Sequence, residues 1–66
     1  MKIADFTKPE LDYFRENCNF VGVEIDVFEM RSQGVPLEEI AEKINMSVDG
    51  VKKVSRRVTK KIIRVI

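Results

Sequence analysis

From Ser47 to the C-terminus, apolar residues recur at helical spacing. Placed about 100° apart, Val51, Val54, Val58, Ile62 and Val65 fall within one arc of about 80°. The charged residues of the same stretch occupy the opposite half of the cylinder. The pattern predicts one long helix with a single buried edge, and Ser47 is its expected N-cap. Upstream, Leu11, Phe14 and Cys18 recur at spacings of three and four, which predicts a shorter helix from about Thr7 to Asn17. Thr7 and Glu10 have the spacing of a capping box, Pro9 fits the first turn, and Phe6 and Leu11 sit where a hydrophobic staple closes. Asn17 and Asn19 mark a break. A second helix, roughly Val23 to Gln33, turns Val23, Val27, Phe28 and Met30 inward and stops at Gly34. Its start has no side-chain acceptor at Val21-Gly22, which leaves Asn19 as the candidate cap. Pro36 opens a third helix with Leu37, Ile40, Ala41 and Ile44 on its inner face. Asn45-Met46 forms a short turn in which Asn45 suits a left-handed conformation. No run alternates with period two, so the expected class is all-α: four helices in one domain, residues 1–66.

Charge changes this picture most. Residues 47–66 hold seven of the twelve basic side chains and one acid, so they are +6, while residues 1–46, with five basic and ten acidic side chains, are −5. The whole-chain value of +1 conceals that division. A helix with one buried edge and a continuous positive face suits a phosphate backbone. Composition narrows the alternatives: 44% apolar and 35% charged residues describe a folded globular chain rather than a disordered one. A single cysteine permits no internal disulfide, and the absence of histidine excludes histidine-based catalysis and the common zinc fingers. Cys18 reads as a small buried apolar residue. With no glycine-rich phosphate loop, metal-ligand cluster or evident nucleophile, an enzyme is not expected, nor is a cofactor. No apolar run approaches a membrane span, no signal-peptide core opens the chain, and a cytoplasmic protein is expected.

Residues 34–58 have the pattern of a helix-turn-helix. Ala41 is small where two helices cross closely, Ile40, Ile44, Met46 and Val51 form the expected wedge, and Ser47 starts the second helix so that its early side chains face outward. The ordered set Glu24, Val27-Phe28, Met30-Arg31, Gly34, Glu39-Ile40-Ala41-Glu42, Ile44, Met46-Ser47, Val51-Lys52, Arg57 and Lys60-Lys61 resembles bacterial sigma-factor region four and the related LuxR-type DNA-binding domains. The resemblance covers about residues 20–64. It implies a DNA-binding unit over 23–64, an accessory N-terminal helix over 7–18, and a long C-terminal recognition helix, about 47–64, in the major groove of double-stranded DNA. The chain departs from the family pattern at Val21 and Pro36, where capping Thr or Ser is common, and at Gly50, where Thr is usual. Glycine there costs roughly 1 kcal/mol of helix propensity. Either the backbone approaches DNA closely at Gly50, or base reading has moved to Asp49, Lys53 and Arg56.

Roles follow from position. Ser47 and Lys52 match early family positions that contact phosphate. Lys53 and Arg56 are the candidates for base edges, because Arg and Lys favour guanine in the major groove. Arg57, Lys60, Lys61 and Arg64 are expected to follow the backbone. Asp49 has two readings, a first-turn acid that favours the helix dipole or an acceptor from cytosine.

The apolar tail also has two readings. Ile62, Ile63, Val65 and Ile66 either pack back toward Phe6, Tyr13 and Phe14 or form a homodimer contact, with two recognition helices about one DNA turn apart. The acids Asp5, Asp12, Glu16, Asp26, Glu29, Glu38, Glu39 and Glu42 read as solvated surface or as a contact for RNA polymerase. The expected function is a small sequence-specific transcription regulator of bacterial or phage type. The alternative keeps the fold as a protein-interaction module for a polymerase, a sigma factor or another regulator.

Overall fold

Thr7 starts the first helix as its sequence predicts. Its hydroxyl accepts from the Glu10 amide at 3.4 Å, and the Glu10 carboxylate accepts from the Thr7 amide at 2.7 Å. This reciprocal cap satisfies two amides that the first turn leaves without partners. The computed structural model describes residues 2–66. In it, α1 spans Lys8–Asn17, α2 Val23–Ser32, α3 Leu37–Lys43 and α4 Val48–Val65, with a 3-10 turn over Ile3–Asp5 before α1. The described residues contain no strand, and the class is all-α.

The two turns around α3 share one geometry. After α2, Val35 N–H donates to Met30 O at 3.1 Å and Gly34 N–H to Arg31 O at 3.0 Å, with Gly34 at φ +80°. After α3, Met46 N–H donates to Ala41 O at 2.9 Å and Asn45 N–H to Glu42 O at 3.4 Å, with Asn45 at φ +57°. Both are Schellman closures, in which one left-handed residue lets two amides return to carbonyls of the last helical turn. Glycine reaches that conformation without a Cβ penalty, and asparagine is the side chain that tolerates it best. These closures fix how α3 leaves α2 and how α4 leaves α3.

Helix α4 is the central element. Its 18 residues rise about 27 Å, close to the longest dimension of the molecule, 29 Å. Its apolar edge packs against α2, α3 and α1 in turn. Val51, Val54, Val58 and Ile62 are all buried, together with Val27 and Phe28 of α2, Ile40 and Ala41 of α3, and Phe14 and Cys18 at the end of α1. Val65 is half-buried at the rim. Phe6 stands edge-on to Phe14 at 4.9 Å between ring centroids, and Phe20 lies against Phe28 at 4.7 Å.

Two expectations are corrected, and one core residue is added. Val23 is exposed rather than inward: it shares the face of Val27 but is the first residue of α2, a turn before the buried Val27 and Phe28. Asn19 does not cap α2. It sits at φ +54° just past α1, while the N-cap of α2 is Gly22, with no side-chain bond, and the Glu24 carboxylate accepts from the Val21 amide at 3.2 Å instead. Ile3, in the 3-10 turn, is buried against the core, an anchor that no periodicity in the sequence indicates.

Candidate nucleic-acid interface

The positive face begins at the cap of α4. The Ser47 hydroxyl accepts from the Gly50 amide at 3.0 Å, which leaves its own O–H free to donate outward. Asp49 is exposed in the first turn, where a carboxylate meets the positive end of the helix dipole. Gly50 faces the turn from α3. A Cβ built there lies 3.1 Å from the Met46 methyl and 3.1 Å from the Ser47 hydroxyl. A side chain at Gly50 therefore needs the flexible end of Met46 and the capping Ser47 hydroxyl to give by a few tenths of an ångström.

Beyond the cap, the seven basic residues divide into two groups. Lys52, Lys53, Arg56, Lys60 and Arg64 are exposed and have no ion-pair partner among the described residues. At helical spacing they occupy an arc of about 120° centred opposite the buried stripe. Fixing the apolar edge in the core thus turns these five cations outward together.

Arg57 and Lys61 lie on the flank next to α2, and there they meet Glu24. Arg57 Nε donates to Glu24 Oε2 at 3.3 Å, and Lys61 Nζ donates to Glu24 Oε1 at 2.5 Å and to the Asn19 carbonyl at 3.1 Å. Glu24 is only 5% exposed and has every buried oxygen bonded. The hydrogen bond from Lys61 holds its carboxyl below the ordinary carboxylate value. Burial works the other way, and the Val21 amide, the Lys61 charge and the Arg57 bond add to the lowering. Lys61 is thereby committed within the chain, while Arg57 remains largely open to solvent. Sequence reasoning missed Glu24 as the organiser of this flank. The signal was present: it lies three and four residues before Val27 and Phe28, on the face that α2 buries, and a carboxylate on such a face needs a cation.

A second ion pair ties α1 to α2. Arg15 donates through Nε and Nη2 to the two Glu29 oxygens at 2.6 and 2.7 Å, and through Nη1 to Asp12 at 2.6 Å. Its guanidinium carbon lies 5.6 Å from the Phe28 ring centroid, within cation–π range. The Glu29 bond raises the Arg15 pKa above its ordinary value, and Arg15 in turn lowers that of Glu29. Burial pushes the Cys18 thiol up, which keeps it protonated and unreactive. Glu16, Asp26, Glu38, Glu39 and Glu42 are exposed and have no ion-pair partner among the described residues.

The tail separates. Ile62 is wholly buried in the core of its own chain and has no surface to offer a second copy, a correction to its place among the dimer candidates. Val65 is half-buried, and its carbonyl accepts from the Tyr13 hydroxyl at 3.4 Å, so this edge does pack back on α1. Only Ile63 and Ile66 are exposed, at 59% and 75%.

Comparison with protein-family models, curated proteins and solved structures finds no match to this chain. No helix among the described residues is long and apolar enough to cross a membrane.

Proposed function

We propose that this chain is a small sequence-specific DNA-binding regulator, with α3, its turn and α4 acting as a helix-turn-helix and α4 lying in the major groove. The observation that carries the reading is the division of α4: four fully packed apolar side chains on one edge, and five unpaired cations opposite them. A solvated face on an ordinary surface helix mixes both signs. Here the only acid is Asp49, at the N-terminal end where the helix dipole accounts for it.

On this reading the residues of α4 take separate roles. Lys53 and Arg56 lie nearest the centre of the outward arc in the first half of the helix, the part that reaches base edges in this mode of docking. Ser47 and Lys52 donate to phosphate at the entry to the groove. Lys60 and Arg64 follow the backbone further along. Arg57 keeps its outer nitrogens for phosphate, and Lys61 acts through Glu24 by setting the rotation of α4 on α2.

Selection from a random pool of duplexes tests the reading. An enriched motif is expected, to be lost with Lys53→Ala and Arg56→Ala while thermal stability is kept. A pool that leaves the protein as random as it entered would count against DNA reading, in favour of a protein-interaction module with the same fold.

A further inference from the structure

Two apolar patches on this small surface are opposite in charge. One lies at the start of α2, where Ile25 is 48% exposed. Ile25 borders a cleft of about 290 Å3 lined also by Phe20, Phe28, Glu16 and the Arg15–Glu29 pair, so that Glu16 is its unpaired charge. Asp26, next to Ile25 in α2, is exposed outside that lining. Glu16 and Asp26 have no ion-pair partner among the described residues. The other patch is Ile63 and Ile66 at the end of α4, with Lys60 one turn before Ile63 and Arg64 beside it, both unpaired.

We infer that the end of α4 of one copy docks into the α1–α2 cleft of a second copy, with the exposed Ile63 entering beside Ile25 and Lys60 or Arg64 pairing with Glu16 in the cleft or Asp26 next to it. Charge selects this arrangement over a two-fold one. Pairing two α4 ends sets Lys60 and Arg64 against their own copies, which like-charge repulsion disfavours, and pairing two α2 starts does the same with Asp26. Joining one end to the other cleft places opposite charges around an apolar contact.

Such a contact is heterologous, so a bound pair still shows a free cleft on one copy and a free tail on the other, and assembly extends past two copies into a ring or an open chain. The patches are small, well below the area of a stable dimer interface, so association is weak in free solution and is weakened further by salt. None of this depends on DNA binding, and the test is made without DNA.

The experiment is a dilution series followed by amide NMR and sedimentation at low salt, up to about 1 mM protein. Resonances of residues 21–26 and of residues 60–66 should move together with concentration, and the average mass should pass that of a dimer. Glu16→Lys with Asp26→Lys in one chain, or Lys60→Glu with Arg64→Glu in another, should each abolish the shifts. Mixing those two chains should restore association, because each reversed patch then meets its opposite. No concentration dependence, movement of the tail resonances alone, or a mixture that stays monomeric would each overturn the inference.

Discussion

Glu24 and Lys61, 37 residues apart in sequence, are joined by a 2.5 Å hydrogen bond from the lysine Nζ to Oε1 of a carboxylate that is 5% exposed. The pair links the first turn of α2 to the penultimate turn of α4. It also decides which basic residues are free, since the rotation of α4 that brings Lys61 and Arg57 to Glu24 turns Lys52 and Arg56 away from α2. The acid buried against the core thus helps aim the exposed cations.

Removing that carboxylate should loosen the seat of α4. Glu24→Ala leaves the Lys61 ammonium and the Val21 amide without their shared acceptor, at a cost of about 1–3 kcal/mol. For a domain of this size each kcal/mol lowers Tm by about 4–8 °C. Glu24→Gln, which keeps an acceptor for Val21, should cost less. Lys61→Ala should also cost less than Glu24→Ala, because Arg57 and Val21 still satisfy the carboxylate. Thermal unfolding of the three variants checks the order.

Acid should weaken the fold through the same residue. Glu24 and Glu29 both titrate below the ordinary 4.5 in the folded chain, held down mainly by hydrogen bonds from Lys61 and Arg15. A lowered folded-state value means that the stabilisation is fully present above 4.5 and is lost as pH falls through the folded values. Denaturant midpoints should therefore be flat near neutrality and drop below that point. The drop should be shallower in Glu24→Gln, which has one fewer group to protonate.

Local signals in the sequence were sufficient where the interaction itself is local. Thr7 and Glu10 announce their cap, Gly34 and Asn45 their left-handed turns, and Val51, Val54, Val58 and Ile62 their buried edge, because in each case the partners lie within one or two helical turns. What was not legible joins distant segments. Ile3 belongs to a three-residue turn too short to show a period, and only its packing on α2 makes it core. Lys61 resembles its neighbours in composition, yet it lies at the border of the apolar stripe, where an acid from another helix claims it. Ile62 and Ile63 look alike as tail residues, and the phase of α4 buries one and exposes the other.

Gly50 gives a direct check on the entry to α4. Gly50→Ala adds a methyl against the movable end of Met46 and gains up to about 1 kcal/mol of helix propensity. A modest rise in Tm is expected. A larger β-branched residue, as in Gly50→Val, has to displace Met46 from between α3 and α4 and should lower Tm instead.

Asn45 tests the turn from α3. Asn45→Gly keeps the positive φ without a Cβ and should leave stability unchanged or slightly raised. Asn45→Val places a β-branched residue in a left-handed conformation and should cost about 1–2 kcal/mol. If both variants unfold alike, the Schellman closure is not what holds the turn.

The proposed interface requires that the unpaired cations of α4 displace counterions from a duplex. Binding of a mixed-sequence duplex of about 20 base pairs, followed from about 50 to 200 mM salt, should weaken with a log–log slope of about −4 to −5 for five neutralised phosphates. Lys60→Ala should reduce that slope by about 1 without loss of fold. Absence of binding at the lowest salt, or an affinity indifferent to salt, would contradict the assignment of α4 to DNA.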